Sequence, residues 1–134
     1  MNNGSIHKTL AAKLEDVATL LGLPVAWENT PFTPPATGIY LEEDFLPAET
    51  EDVFIQGAAP VRRGIYQVTV VYPIGRGTQA ARALADDIAD MFPNNAVLAQ
   101  PGPLFVNGFP DVFNGIVDST AYRIPVSIPY LITA

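Results

Sequence analysis

The segment STAYRIPVSIPYLITA, residues Ser119–Ala134, constrains the fold more than any other stretch of the chain. Tyr122, Ile124, Val126, Ile128 and Tyr130 fall on one face of an extended backbone, and Arg123, Pro125, Ser127 and Pro129 fall on the other. A sustained period of two is a half-buried β-strand, apolar toward a core and mixed on its far side. Pro125 and Pro129 lack backbone donors, and their even spacing turns both missing donors to the same side of the strand. The pattern predicts an edge strand, or one whose ladder is interrupted on that side, with the proline carbonyls left for a specific neighbour.

A second strand is predicted over Gly64–Tyr72, where Tyr66, Val68, Val70 and Tyr72 alternate with Gln67 and Thr69 before Pro73 and Gly75 end it. Its partly polar far face argues against a parallel sheet covered on both sides. A weaker strand signal covers Ile39–Leu46, and shorter ones Val25–Trp27, Val97–Ala99 and Phe105–Phe109. Leu10, Leu14, Val17 and Leu21 recur at helical spacing, predicting a helix from Ile6 to Leu21 capped by Ser5 and stopped by Gly22. Lys8, Lys13, Glu15 and Asp16 lie off that stripe and read as a solvated face in preference to partner contacts by the lysines. A second helix is predicted from Thr78 to about Phe92, with Ala81, Leu84, Ala85, Ile88, Met91 and Phe92 inward and Pro93 as terminator.

Between these elements lie two long connections. Leu23–Gly38 carries Pro31, Pro34 and Pro35 and cannot be a central strand; it reads as an ordered surface arm bearing Trp27 and Phe32. The two aromatics dock on another subunit or fold back on their own core. Leu46–Gly64 holds Glu49, Glu51 and Asp52 before the apolar run Val53–Ile55, a length of connection that suits either a binding role or a short strand broken at the turn Gly57–Pro60.

The whole chain, 134 residues with 49% hydrophobic side chains, suits one domain spanning 1–134 with a core large enough to need no disulfide or structural metal. Fourteen acidic residues against seven basic ones give a net charge of −7, which disfavours tight DNA binding by phosphate neutralisation; only Arg62 and Arg63 are adjacent. No segment resembles a signal peptide or a membrane span, so no membrane partner is expected.

Chemistry is sparse. Cysteine is absent and His7 is the one histidine, placed near the amino terminus, so neither a thiolate nucleophile nor a zinc or iron centre has a credible set of ligands. Ser5, Ser119 and Ser127 stand outside any nucleophile-elbow sequence. Gly75–Gln79, GRGTQ, lacks both the Walker lysine and a third glycine, and reads as a tight strand-to-helix turn in preference to a phosphate cradle. Asp86, Asp87 and Asp90 read as a solvated helix face, and Glu42 with Asp44 or Glu49 with Glu51 as solvated loop acids, since no sugar cleft is readable around them. No cofactor and no catalytic residue is expected, and weight shifts to recognition and assembly.

Four stretches together resemble the phage tail terminator family, the minor tail protein U-like proteins of long-tailed bacteriophages and prophages: LPVAWENTPFTPP from Leu23, GIYQVTVVYPIGRG from Gly64, ALADDIADMFP from Ala83 and YRIPVSIPY from Tyr122. The likeness spans nearly the whole chain. It implies an α+β fold, a mixed and largely antiparallel β-sheet with two main helices packed against it. It also implies a structural, non-enzymatic virion protein that forms a homo-hexameric ring on the head-proximal end of the tail. Such a ring stops polymerisation of the major tail tube protein and offers a surface to the head-tail connector protein, assembling in the host cytoplasm and ending in the virion tail.

Cyclic closure needs two complementary surfaces per subunit. Trp27, Glu28, Phe32, Arg62, Arg63, Arg76 and Arg123 are the candidate subunit or tail-tube interface residues, the arginines facing acids such as Glu42, Glu43, Glu49 or Asp52 of a neighbour. The alternative functions are a head-tail connector or neck protein and, in a different class, a small hydrolase or nucleotide-binding enzyme.

Overall fold

A computed structural model describes residues 2–48, 61–99 and 103–132. The expectations for Glu49, Glu51, Asp52 and the run 53–55 lie outside the described residues. Two helices cover one face of a mixed, mostly antiparallel eight-stranded sheet, the α+β class expected.

Helix α1 spans Asn3–Leu21. Asn2, not Ser5, is its cap: Asn2 Oδ1 accepts from the Ser5 N–H at 2.9 Å while Ser5 Oγ accepts from the Asn2 N–H at 3.1 Å. Ser5 therefore closes a capping box from the third helical position, which starts the helix one turn earlier than its apolar stripe suggested. Gly22 ends it in the left-handed region at φ 70°, as expected of a residue without Cβ. Ile6, Leu10, Leu14 and Val17 are buried beneath it. Helix α2 spans Gln79–Asp90 and buries Ala81, Ala85 and Ile88. It stops short of Phe92, because the residue before Pro93 is pushed out of the helical region, yet Phe92 stays fully buried.

The strands are β1 (Val25–Ala26), β2 (Tyr40–Pro47), β3 (Arg62–Tyr72), β4 (Val97–Ala99), β5 (Leu104–Val106), β6 (Asp111–Val112), β7 (Ile116–Val117) and β8 (Tyr122–Ile132). Their order is β1-β2-β3-β8-β5-β4, with β6 and β7 also on β8; only β1 runs parallel to its neighbour. Leu41, Tyr66, Val68, Val70, Ile124, Val126 and Ile128 meet both helices in one core. Each such side chain contributes about 1.5–3 kcal/mol by leaving water. On the uncovered face Val71 and Thr69 are nevertheless buried, Pro34, Gly38, Tyr40 and Thr120 gathering around Val71. Gly64 faces Tyr130 across the β3–β8 pair, where a Cβ would stand 2.5 Å from the Leu46 carbonyl oxygen and 2.7 Å from Tyr130 Oη.

Strand β8 is central, not an edge. It pairs with β3 along its whole length, Arg62 opposite Ile132 through Tyr72 opposite Tyr122. The prolines act on the other side. There Pro129 and Pro125 offer only carbonyls, which accept from Asn107 N–H at 2.9 Å and Phe113 N–H at 3.0 Å. The ladder breaks into β5, β6 and β7 at those two points. From Val106 to Asp111 the chain advances five residues while β8 advances three, and from Val112 to Ile116 four against three. The surplus residues bulge outward, which is why the strand expected to reach Phe109 stops at Val106.

Candidate functional site

Three surface features follow from this architecture. The first is a cleft of about 390 Å³ at the β1–β2 end of the sheet. Strand β1 pairs with β2 for two residues only; the arm then turns away at Asn29, φ 53°, with Thr30 N–H donating to Trp27 O at 3.2 Å. Past that point a side chain replaces the missing strand, Glu28 Oε1 accepting the Phe45 N–H at 3.1 Å. Trp27, Glu28, Phe32, Tyr40, Glu42 and Asp44 line the cleft, and the Phe32 and Tyr40 rings lie 4.9 Å apart. Burial, and then the neighbouring charges of Glu28, Glu42 and Glu43, raise the Asp44 carboxyl above its usual range.

Beneath the cleft Glu43, 4% exposed, is anchored inside its own chain. Its carboxylate accepts from the Tyr66 hydroxyl, from the Glu28 N–H at 3.2 Å and faces His7 Nε2 at 3.2 Å. Burial and the bond to Glu43 push the Tyr66 phenol well above its ordinary range. His7 stacks on Phe45 with ring centroids 4.7 Å apart, so this histidine is a packed part of the α1–β2 contact. Glu43 is thus withdrawn from the set of acids expected to meet a neighbour's arginine.

The second feature is the broken strand. Its bulges and last rung carry Phe109, Phe113, Ile116 and Val117, exposed by 78%, 49%, 59% and 65%. These are four of the eight large apolar side chains exposed among the described residues, within nine positions. The third is a groove between α1 and β4, lined by Lys8, Lys13 and Asp16 with Val97 to Ala99.

Of the seven residues singled out in the sequence, Trp27, Glu28 and Phe32 share the cleft. Arg123 adjoins it, its Nε donating to Glu42 Oε1 at 2.9 Å and a guanidinium nitrogen to Asp118 Oδ2, with the Glu42 bond raising its pKa. Asp118 in turn caps the turn into β8 by accepting from Thr120 and Ala121 N–H groups, each at 2.8 Å. Arg62 and Arg63 start β3, whereas exposed Arg76 lies in the turn beyond its far end. The ten residue steps of strand from Arg62 to Tyr72, about 33 Å, separate the two groups. They lie at opposite ends of the strand. The aromatic partner Tyr40 and the exposed ribbon were not readable as candidate surfaces, although the paired prolines of β8 marked where the ribbon breaks out.

Among the described residues no group of three or more His, Asp or Glu side chains is arranged to hold a metal ion, and no helix is long and apolar enough to cross a membrane. The family model described as "Phage tail terminator protein" matches residues 5–130. The chain belongs to the phage tail terminator family. As a member it is a structural protein of the phage tail. No curated protein matches it. One solved structure, whose name carries no functional description, superimposes with a TM-score of 0.82 at 33% identity, covering 100% of this chain and 97% of its own. A chain from the virion of a native gene transfer agent particle shares the fold at 18% identity and a TM-score of 0.59, over 87% of this chain and 84% of its own.

Proposed function

We propose that this tail terminator acts as a homo-hexameric ring on the head-proximal end of the tail, ending growth of the tube and presenting a surface for head-tail joining. Its partners are further copies of itself, the major tail tube protein and the head-tail connector protein; it uses no cofactor and binds no DNA tightly. The exposed ribbon carries the reading. A lone domain gains nothing from setting Phe109, Phe113, Ile116 and Val117 in water, whereas a subunit that works by contact needs such a surface. Trp27 and Phe32 at the cleft supply aromatic contacts to neighbour and tube, and Glu28 and Arg123 there, with Arg62, Arg63 and Arg76 at the two ends of β3, supply polar ones.

Adding the purified protein to polymerising tail tubes and imaging the ends tests the reading. Rings on one end and a fixed length distribution are expected; tubes that grow on without rings overturn it. Rings that instead select the head portal, leaving tube growth untouched, assign the chain to the connector role.

A further inference from the structure

The sheet has two unlike ends. At one, three outward positions of β2 offer no vacant donor to an added strand: the Leu41 N–H reaches Pro24 O at 3.0 Å, the Phe45 N–H reaches Glu28 Oε1 at 3.1 Å, and Pro47 has none. A partner lying along β2 past the end of β1 therefore meets it through side chains, and those on offer include the carboxylates of Glu28 and Asp44 among the rings of Trp27, Phe32 and Tyr40. Aromatic faces with carboxylates beside them suit an ammonium group. At the other end β4 has β5 on one side and no strand on its outer side among the described residues, and Val97 is 54% exposed. A groove of about 520 Å³ separates this edge from α1, and the chain's two lysines, Lys8 and Lys13, both line it.

We infer that the α1–β4 groove of one copy receives the β1–β2 end of a second copy, Lys8 and Lys13 meeting the carboxylates of its cleft, so that copies join head to tail. This deepens the ring reading and rests on it. The occupant is another copy because the chain itself supplies the matching chemistry. With a net charge of −7, copies repel one another generally, and contact is favoured at the groove, where Lys8 and Lys13, the latter's ammonium 5.8 Å from the Phe92 ring, outnumber Asp16. A self-complementary contact through either end sets lysine on lysine or carboxylate on carboxylate, whereas unlike ends give the heterologous contact that closes a ring. Burial and then the charges of Glu28, Glu42 and Glu43 raise the Asp44 carboxyl, and nearby Arg123 is already engaged by Glu42 and Asp118, so acids crowd this side of the cleft. A lysine entering the cleft relieves that repulsion.

The chain has no cysteine, so single thiols report contacts cleanly. Lys8→Cys and Asp44→Cys are made singly and together and treated with a short bis-maleimide linker, free at high concentration and on tail tubes. An equal mixture of the single variants is expected to give heterodimers at least tenfold faster than either alone. The double variant is expected to give a ladder ending at the closed ring. Lys8→Cys linking to itself as fast as in the mixture establishes a self-complementary contact and overturns the inference. Rings seen on tubes without cross-linking overturn it and leave the ring reading standing; no rings at all overturn both. Reversing both lysines to glutamate is expected to weaken assembly at least tenfold with unchanged monomer circular dichroism, and Asp44→Lys in the same chain to restore part of it. Unaltered assembly after the lysine reversal also contradicts the head-to-tail contact.

Discussion

Removing the Tyr66 hydroxyl or the Glu43 carboxylate tests the physical account of the cleft most sharply. Glu43 is 4% exposed, and its charge is tolerated there because the Tyr66 hydroxyl, the Glu28 N–H and His7 surround it. Tyr66→Phe deletes one hydrogen bond to a buried carboxylate, which is worth about 1.5–3 kcal/mol. For a domain of this size that lowers Tm by roughly 5–12 °C. Glu43→Ala leaves the Tyr66 hydroxyl and the Glu28 N–H unmet together, and is expected to cost about 3–5 kcal/mol. Denaturant titration of both variants and of the double variant gives the coupling directly, expected at more than about 1 kcal/mol because the residues touch. Alkaline titration supplies a second check. The folded protein holds the Tyr66 proton more tightly than the unfolded chain, whose tyrosine ionises near 10.0, so stability is full below pH 10 and falls as pH rises past it. Tyr66→Phe lacks that part of the alkaline loss. Single variants within about 0.5 kcal/mol of the parent, additive in the double and with an unchanged alkaline limb, refute the reasoning.

Gly64→Ala places a methyl group against the Leu46 carbonyl and the Tyr130 hydroxyl, and overpacking of that kind is expected to cost about 1–3 kcal/mol by chemical denaturation. Phe109→Ser with Phe113→Ser is expected to change stability by less than about 0.5 kcal/mol while reducing tube-end binding in a pelleting assay, since neither ring lies in the core. Asp44→Asn is expected to stabilise the isolated chain slightly at neutral pH, by less than about 1 kcal/mol after solvent screening. Because the folded carboxyl is raised above its ordinary 3.8, the gain should shrink as pH falls through the raised value and vanish below 3.8, which thermal melts against pH will show.

The elements with long periodic runs are legible in the sequence. The β8 alternation, the β3 alternation and the α1 stripe each place the buried side chains expected of them, from Tyr122 to Tyr130, Tyr66 to Val70 and Leu10 to Val17. The position of β8 in the sheet was not legible, because a proline without a donor signals a broken ladder on one side and says nothing of the other. Its partner β3 settles the matter with an uninterrupted register. Strands β6 and β7 are two residues each, too short for any period to register. At the cleft, Trp27 and Phe32 stood out as the aromatics of a proline-rich arm, and Glu28 only as part of the family-like stretch LPVAWENTPFTPP. The capping of Phe45 by Glu28 joins residues 17 apart, and the burial of Glu43 depends on Tyr66 and His7 from two other elements. No local pattern encodes those meetings.

We propose that this tail terminator works by closing a ring on the end of a tube. Electron microscopy of tubes grown to completion with and without the protein measures it directly. Closed six-membered rings at one end of every tube, with lengths that no longer increase, are the result expected. Tubes of unlimited length with bare ends in the presence of excess protein contradict it.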